Sequence, residues 1–242
     1  MKKSFIGVGG ILLLSLVGFG YYFYSDTRDP YVKGCDYDVP AEVIPTFTEV
    51  PFDFYHKFDN KRSLPLLGSC LIDVDSDGID EVFVGGGNDQ KDVVYKYRNG
   101  FFEDISDQVN LPEQYATATL GAVSFDMDED GAVDFLLARE DGVWIFKNKN
   151  GKFVASQLDI QLNENSTPVS FALGDVNQDG FVDIFLCNYI PVNKMEGQTI
   201  FNDNNYGASS LLLLNNGDLS FRDATEDLGL NYIHNTFQAV MV

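Results

Sequence analysis

Three stretches of this sequence carry side-chain oxygens at alternate positions, then a glycine at the sixth position and an acid at the ninth. Side chains at positions one, three and five can converge on one hard cation, while the glycine permits a tight turn and position seven offers its backbone carbonyl. The pattern therefore predicts three calcium sites. The predicted ligands are Asp73, Asp75, Asp77, Ile79 and Glu81 in loop 1, Asp126, Asp128, Asp130, Ala132 and Asp134 in loop 2, and Asp175, Asn177, Asp179, Phe181 and Asp183 in loop 3.

The alternative to a metal site is an acidic turn that holds no ion. Simple turns need neither alternate acids nor a ninth-position acid, and the pattern recurs at intervals of 53 and 49 residues, so chance is a poor explanation. Two carboxylates roughly 5 Å apart repel each other by about 3 kcal/mol at an effective dielectric constant of about 20. A loop with four acids is therefore expected to be strained without a cation.

The loops do not match an EF-hand, although that motif begins with a similar pattern. An EF-hand needs a glutamate at position twelve and a helix on each side. Position twelve is Val84, Leu137 or Leu186 in the three loops. Short apolar runs with strand character precede and follow every loop, so the loops are predicted to join β-strands.

The segments between the loops repeat the same order of parts, and each repeat reads as about four short strands. Repeats of about 40 to 50 residues with four strands each are typical of β-propeller blades. The predicted fold is all-β: a β-propeller of four-stranded blades, with about three blades and the start of a fourth visible. The predicted strands are 70–72, 82–84, 93–97 and 101–105, then 122–125, 135–138, 142–147 and 152–156, then 169–173, 184–187, 210–214 and 219–223.

Two segments resemble a known family. Residues 172–189 read Ala-Leu-Gly-Asp-x-Asn-x-Asp-Gly-x-x-Asp-Ile-x-x-x-Asn-Tyr, and residues 213–225 read Leu-Leu-Asn-Asn-Gly-Asp-Leu-Ser-Phe-Arg-Asp-Ala-Thr. Residues 64–242 are similar to the FG-GAP/VCBS repeats of integrin-α-type propellers, closest to those of ASPIC/UnbV and cartilage acidic proteins, although no ASPIC/UnbV-type tail domain is visible. The resemblance implies a calcium-stabilised propeller used for adhesion or recognition, usually outside the cytoplasm. Since Asn177 replaces an acid, we expect a weaker third site.

The last residues, 235–242, resemble the strand that leads into loop 2, residues 119–125, so a fourth loop is expected to follow. Propellers have about four to eight blades, and roughly 180 residues supply little more than three. We therefore expect the N-terminal portion of a longer protein, or a fold that a partner completes. The alternative is a small open array of repeats with a frayed last strand.

The N-terminal residues predict a membrane anchor. Lys2 and Lys3 precede an uncharged stretch, residues 5–24, that is long enough to cross a bilayer as a helix. The lysines favour a cytoplasmic location for residues 1–4. We therefore predict a transmembrane signal anchor, a linker over residues 25–51, and a repeat region over residues 52–242 outside the cytoplasm, in the periplasm or at the cell surface. The alternative is a cleaved signal peptide and a secreted protein.

The formal net charge of −21 argues against nucleic acid as a partner, because phosphate binding needs a basic surface. Eleven acids lie at predicted ligand positions, so much of this charge has a local cause. The expected partners are the membrane and an extracytoplasmic protein or glycan. The oligomeric state does not follow from the sequence.

The cysteines and histidines do not form a catalytic or metal-binding pattern. Cys35 and Cys70 are the pair best placed for a disulfide, and Cys187 is expected to be a buried thiol.

The favoured function is a recognition or adhesion module with structural calcium. The alternative is a scaffold or accessory domain of an exported polysaccharide-processing enzyme. In either case the insertion at residues 188–209 is the best candidate for a specificity loop.

Overall fold

Three four-stranded antiparallel sheets make up the described part of the chain. The computed structural model describes residues 47–112, 117–195 and 207–241. Residues from Val50 onward belong to one compact unit. A separate unit, Met1–Glu49, is described only at residues 47–49, which have no regular structure.

The strands of each sheet follow one another in chain order, so hairpins connect all neighbours within a sheet. Sheet 1 consists of β1 (Ser69–Ile72), β2 (Glu81–Val84), β3 (Val93–Arg98) and β4 (Phe101–Asp104). Sheet 2 consists of β5 (Thr119–Phe125), β6 (Asp134–Arg139), β7 (Gly142–Asn148) and β8 (Phe153–Gln157). Sheet 3 consists of β9 (Thr167–Gly174), β10 (Asp183–Tyr189), β11 (Leu211–Asn215) and β12 (Phe221–Asp223).

Strand β6 shows how the sequence pattern produces layered packing. All six of its residues are buried, because neighbouring sheets cover both faces. Phe135 and Leu137 belong to the core shared with sheet 1, whereas Leu136 belongs to the core shared with sheet 3. Alternate side chains of a strand point to opposite faces, so this continuous apolar run fills two cores at once.

Aromatic rings dominate the core between sheets 1 and 2. The ring of Phe135 lies 5.0 Å from that of Phe83 in sheet 1, and 4.5 and 4.6 Å from those of Phe146 and Phe153 in sheet 2. Burying one such side chain contributes about 1.5–3 kcal/mol. All four of these phenylalanines are buried, so they serve packing.

The first strands of the three sheets lie side by side, and glycine permits their close approach. A Cβ atom on Gly68 would lie 2.8 Å from the backbone of Gly121, and one on Gly121 would lie 2.2 Å from the carbonyl oxygen of Val169. The Ser124 hydroxyl also donates to the carbonyl of Leu71 at 2.6 Å. Backbone packing of this kind fixes the sheets relative to one another.

The predicted strands are confirmed in number, order and pairing, with boundaries that shift by up to three residues. Three blade-like sheets are present, and a closed propeller is not observed among the described residues. No helix in the described part of the chain is long and apolar enough to cross a membrane. The predicted anchor at residues 5–24 and most of the linker at residues 25–51 lie outside the described residues.

The expectation of a strand at residues 235–242 is wrong for residues 235–241, which have no strand assignment. They lie against β9 instead: the Ser170 hydroxyl donates to the carbonyl of Phe237 at 2.5 Å, and Met241 packs beside Gly174. No described strand forms a ladder with this segment, and an unpaired strand has little stability of its own.

The described residues include two of the three cysteines and part of the predicted insertion at residues 188–209. Cys70 and Cys187 are free thiols, and Cys187 is buried as expected. Cys35 lies outside the described residues, and so does its predicted pairing with Cys70. In the insertion, residues 192–194 form a short 3-10 helix, and residues 196–206 lie outside the described part.

Candidate metal centre

The first aspartate of each acidic loop closes that loop. In loop 1 the backbone N–H groups of Asp77 and Gly78 donate to the carboxylate of Asp73, at 3.0 and 2.9 Å. The same two positions donate to Asp126 in loop 2, at 3.1 and 2.8 Å, and to Asp175 in loop 3, at 3.1 and 2.9 Å. The three loops therefore share one backbone conformation.

A left-handed corner in each loop explains the sixth-position glycine. At position four, φ is 57° at Ser76, 57° at Glu129 and 59° at Gln178. At position six, φ is 82° at Gly78, 89° at Gly131 and 96° at Gly180. Glycine adopts positive φ without steric cost. The fifth-position carboxylates then accept the N–H groups of Ile79, Ala132 and Phe181, the three predicted seventh-position ligands, at 2.8–2.9 Å.

The predicted carboxylate ligands converge in loops 1 and 2. One oxygen from each of three aspartates lies within 4.8 Å of the others in each loop; the groups are Asp73, Asp75 and Asp77, and Asp126, Asp128 and Asp130. Oxygen ligands at this spacing suit a hard cation such as Ca²⁺. Loops 1 and 2 therefore each bring three of their predicted ligands into a group that could hold a metal ion.

A lysine from the third strand of the sheet also reaches into this cluster, which the sequence analysis missed. In loop 1 the Lys96 ammonium lies 2.8 Å from Asp75, 2.8 Å from Asp77 and 2.7 Å from Glu81. Its side chain is only 7% exposed. The ammonium therefore contacts the carboxylates of positions three, five and nine together.

Loop 2 repeats the arrangement with Lys147 of β7. Its ammonium contacts Asp128, lies 2.8 Å from Asp130 and lies 3.5 Å from the buried carboxylate of Asp134. In both loops a fixed positive charge lies among the acids. It relieves part of the repulsion that the sequence alone suggests.

The proximity of opposite charges shifts the pKa values of these groups. Burial acts to lower the pKa of Lys96 and of Lys147, but contacts with the loop acids outweigh it and hold both pKa values above the usual one. Hydrogen bonds from Lys96 and Lys147 in turn lower the pKa of Asp77 and of Asp130. Both lysines are therefore cationic near neutral pH.

The ninth-position acids are buried in all three loops. The carboxylates of Glu81, Asp134 and Asp183 accept the backbone N–H of the second loop residue, at 2.9, 3.3 and 2.9 Å. In sheets 2 and 3 the same carboxylates also accept the N–H of Asn148 and of Asn215, at 2.8 and 2.9 Å. These acids tie each loop to the third strand of its sheet.

Loop 3 differs from the other two in its polar contacts. The side-chain amide of Asn177 donates to Asp179 at 2.7 Å, and its oxygen accepts the N–H of Asp179 at 3.0 Å. Leu214 of β11 lies where the other sheets have lysine, and it packs with Leu212 and Ala224. The described residues bring no ammonium group to loop 3.

Two buried asparagines connect sheets 2 and 3 to the loop of the sheet before each of them. The side-chain amide of Asn148 donates to the carbonyl of Val74 in loop 1 at 2.9 Å. The amide of Asn215 donates to the carbonyl of Met127 in loop 2 at 3.3 Å. The repeated Lys/Leu-Asn sequence at the end of the third strand was a signal for this contact, but sequence reasoning assigned these residues to the strand and turn only.

A buried ion pair between sheets 1 and 2 was also missed. Arg139 donates to Asp92 at 2.8 Å and to the carbonyl of Thr117 at 2.9 Å. The other oxygen of Asp92 accepts the N–H of Gly86 at 2.7 Å and the hydroxyl of Thr119 at 2.8 Å. Because both carboxylate oxygens of Asp92 accept hydrogen bonds, the pair fixes one sheet against the next.

A cavity of about 370 Å³ is lined by residues that precede β1 and β5, by the β6–β7 turn and by the first residue of β9. The acidic loops follow the other ends of β1, β5 and β9. Its lining includes Arg62, Leu64, Thr117, Glu140 and Thr167, and also residues 191–193 from the predicted specificity insertion. Polar and apolar groups thus line a concave surface away from the loops.

The FG-GAP-like repeat family matches the sequence twice, over residues 73–136 and 126–186. Each match begins at the first aspartate of an acidic loop and ends in the strand that follows the next loop. Together the matches include all three loops. No curated protein matches the chain.

Proposed function

We propose, from the match of residues 73–186 to FG-GAP-like repeats, that this chain is a β-propeller-like recognition or adhesion module in which calcium has a structural role. The observation that supports the proposal is the recurrence of one loop geometry at the same corner of all three sheets. The finer resemblance to integrin-α and ASPIC/UnbV propellers stays a prediction.

Calcium would act in this module by holding the first and second strands of a sheet together. The proposed ligands are the oxygens at positions one, three, five, seven and nine of each loop. Extracellular calcium modules have dissociation constants of about 10⁻⁴ to 10⁻³ M. At a free concentration 100 times the dissociation constant, one site adds about 2.7 kcal/mol to the free energy of unfolding.

We further propose that the recognition surface lies at the cavity lined by Thr117, Thr167 and residues 191–193. Ligand sites are concave and combine apolar walls with a few polar groups.

The proposed partner is an extracytoplasmic protein or glycan, and the proposed anchor is the span at residues 5–24. An export reporter fused after residue 49 tests the location: activity outside the cytoplasm is expected, and activity only inside it would contradict the anchor's orientation.

The calcium role is tested by isothermal titration of the full chain with Ca²⁺ and, as a control, with Mg²⁺. We expect calcium binding that weakens in Asp126→Ala and in Asp130→Ala. Unchanged calcium binding in both variants would refute the ligand assignment of loop 2.

The recognition surface is tested on an array of purified glycans with a variant that fills the cavity, Val192→Trp. Val154→Trp is the matched control, because Val154 lies on β8 and is 49% exposed. We expect the cavity variant to lose any glycan binding that the control keeps. Equal binding by the two variants would contradict the proposed surface.

A further inference from the structure

The residue opposite the ninth-position acid differs among the three sheets. The ladders pair Val82 with Tyr95, Phe135 with Phe146, and Ile184 with Leu213. One step toward the loop, these registers place Lys96 opposite Glu81, Lys147 opposite Asp134, and Leu214 opposite Asp183. Equivalent positions thus carry lysine, lysine and leucine.

Each of the two lysines contacts the carboxylates at three of the four side-chain positions predicted to bind a metal ion. The Lys96 ammonium lies 2.7–2.8 Å from three carboxylates of loop 1, and Lys147 contacts the matching three of loop 2. Calcium binds its oxygen ligands at about 2.3–2.6 Å. An ion and an ammonium group cannot both occupy the centre of one such cluster, so they compete.

Loop 3 lacks both the lysine and one of the acids that loops 1 and 2 have. Asn177 stands at position three, and Leu214 packs in an apolar cluster with Leu212 and Ala224. At their ligand positions, loops 1 and 2 hold four acids, which one lysine contacts, whereas loop 3 holds three acids and no lysine contacts them among the described residues. The ligand-position acids and the lysines sum to the same net charge in the three loops, although Asp80 and Glu129 add one further acid to loops 1 and 2. Only in loop 3 are the ligand-position carboxylates without a competing ammonium group among the described residues.

We propose that Lys96 and Lys147 act as internal cations that hold loops 1 and 2 in place of a metal ion, and that loop 3 is the loop with the highest calcium affinity. This inference rests in part on the proposed calcium role. It reverses the expectation from the sequence that Asn177 makes the third site the weakest. Loops 1 and 2 keep their conformation without calcium, and loop 3 depends on it.

The test removes the lysine opposite the ninth-position acid in sheets 1 and 2 and introduces a lysine at the equivalent position in sheet 3. Lys96→Met and Lys147→Met, combined, remove the ammonium groups and keep apolar side chains of similar length. Leu214→Lys introduces an ammonium group into loop 3, and Leu214→Met is its control. Lys152→Met, in the exposed turn between β7 and β8, controls for the loss of a lysine elsewhere in the chain.

Calcium titration of the full chain gives the first readout. In the unmodified chain we expect one tight site and further sites at least tenfold weaker. Asp175→Asn should abolish the tight site, and Asp73→Asn and Asp126→Asn should leave it. The double lysine variant should bind calcium at loops 1 and 2 at least tenfold more tightly. Equal affinities at all sites of the unmodified chain, or an unchanged isotherm for the double variant, would overturn the proposal.

Thermal unfolding in excess chelator gives a second readout that does not need calcium binding. The double lysine variant should unfold at a lower temperature than the Lys152→Met control. In the calcium titration, by contrast, Leu214→Lys is expected to lose the tight site that Leu214→Met keeps. An equal midpoint for the double variant and its control would overturn the internal-cation role. If the lysine effect appears in chelator but calcium binds to none of the variants, the internal cations stand, and both the calcium role and the ranking of loop 3 are refuted.

Discussion

The side-chain amide of Asn148 donates to the backbone carbonyl of Val74 at 2.9 Å, so sheet 2 holds the acidic loop of sheet 1. Asn215 makes the equivalent bond to the loop of sheet 2. The conformation of each loop therefore depends on its own sheet and on the next one. This contact gives the repeats a route to cooperative stability, since neighbouring units stabilise one another.

Asn148→Ala tests this connection between sheets. The side chain bonds two carbonyl oxygens and the N–H of Gly151, and its loss leaves buried polar groups without partners. We expect the free energy of unfolding to fall by about 2–3 kcal/mol. Urea unfolding measures the change, with Asn163→Ala at an exposed position as the control. A loss equal to that of the control would contradict the role.

The Arg139 and Asp92 pair should be costly to break from one side only. Arg139→Met leaves a buried carboxylate without its counter-ion, and such changes cost about 3–5 kcal/mol. Arg139→Met combined with Asp92→Asn should recover part of the loss. A double-mutant cycle in urea measures the coupling energy. A value near zero would show that the two side chains act independently.

Asp126→Ala should weaken the protein even in chelator, because the carboxylate accepts two backbone N–H groups. We expect a loss of about 1–3 kcal/mol from this cause alone. Asp126→Asn keeps one acceptor oxygen and should lose less. Chelator melts compare the two variants, and equal midpoints for Asp126→Ala and the unmodified chain would contradict the closing role of this aspartate.

The two described thiols should react slowly in the folded protein. Burial raises the pKa of Cys70 to about 12 and also raises that of Cys187, so little thiolate is present at pH 8. Because the thiolate is the nucleophile, alkylation should speed up about tenfold per pH unit between about pH 7 and 9.

Mass spectrometry after iodoacetamide treatment measures these rates in a Cys35→Ser chain, with the urea-unfolded chain as reference. Rates at pH 8 that equal the unfolded reference would contradict the raised pKa values.

The strands and loops followed from the sequence because their signals are local. The run from Phe135 to Ala138 alternates between two cores, and it predicted a buried strand correctly. The spacing of Asp126, Asp128 and Asp130 likewise predicted a cluster that the fold does form. Such features depend on residues within about one strand length of each other.

The lysines and the buried ion pair depended on register and on contacts between sheets. Lys96 faces Glu81 only because a particular ladder aligns them, and a lysine in a strand usually points to solvent. Arg139 meets Asp92 from another sheet, 47 residues away. A single sequence carries no local signal for contacts between such distant residues. Their partners can be identified only when the packing of the sheets is known.

Thermal unfolding of the full chain in calcium, in excess chelator and in magnesium tests the central claim most directly. We expect calcium alone to raise the midpoint by about 5 °C or more, as a site filled at 100 times its dissociation constant would do in a domain of this size. The rise should vanish when Asp73, Asp126 and Asp175 are all replaced by asparagine. The same midpoint in calcium and in chelator would mean that the three loops are acidic turns without a structural ion, and would contradict the account.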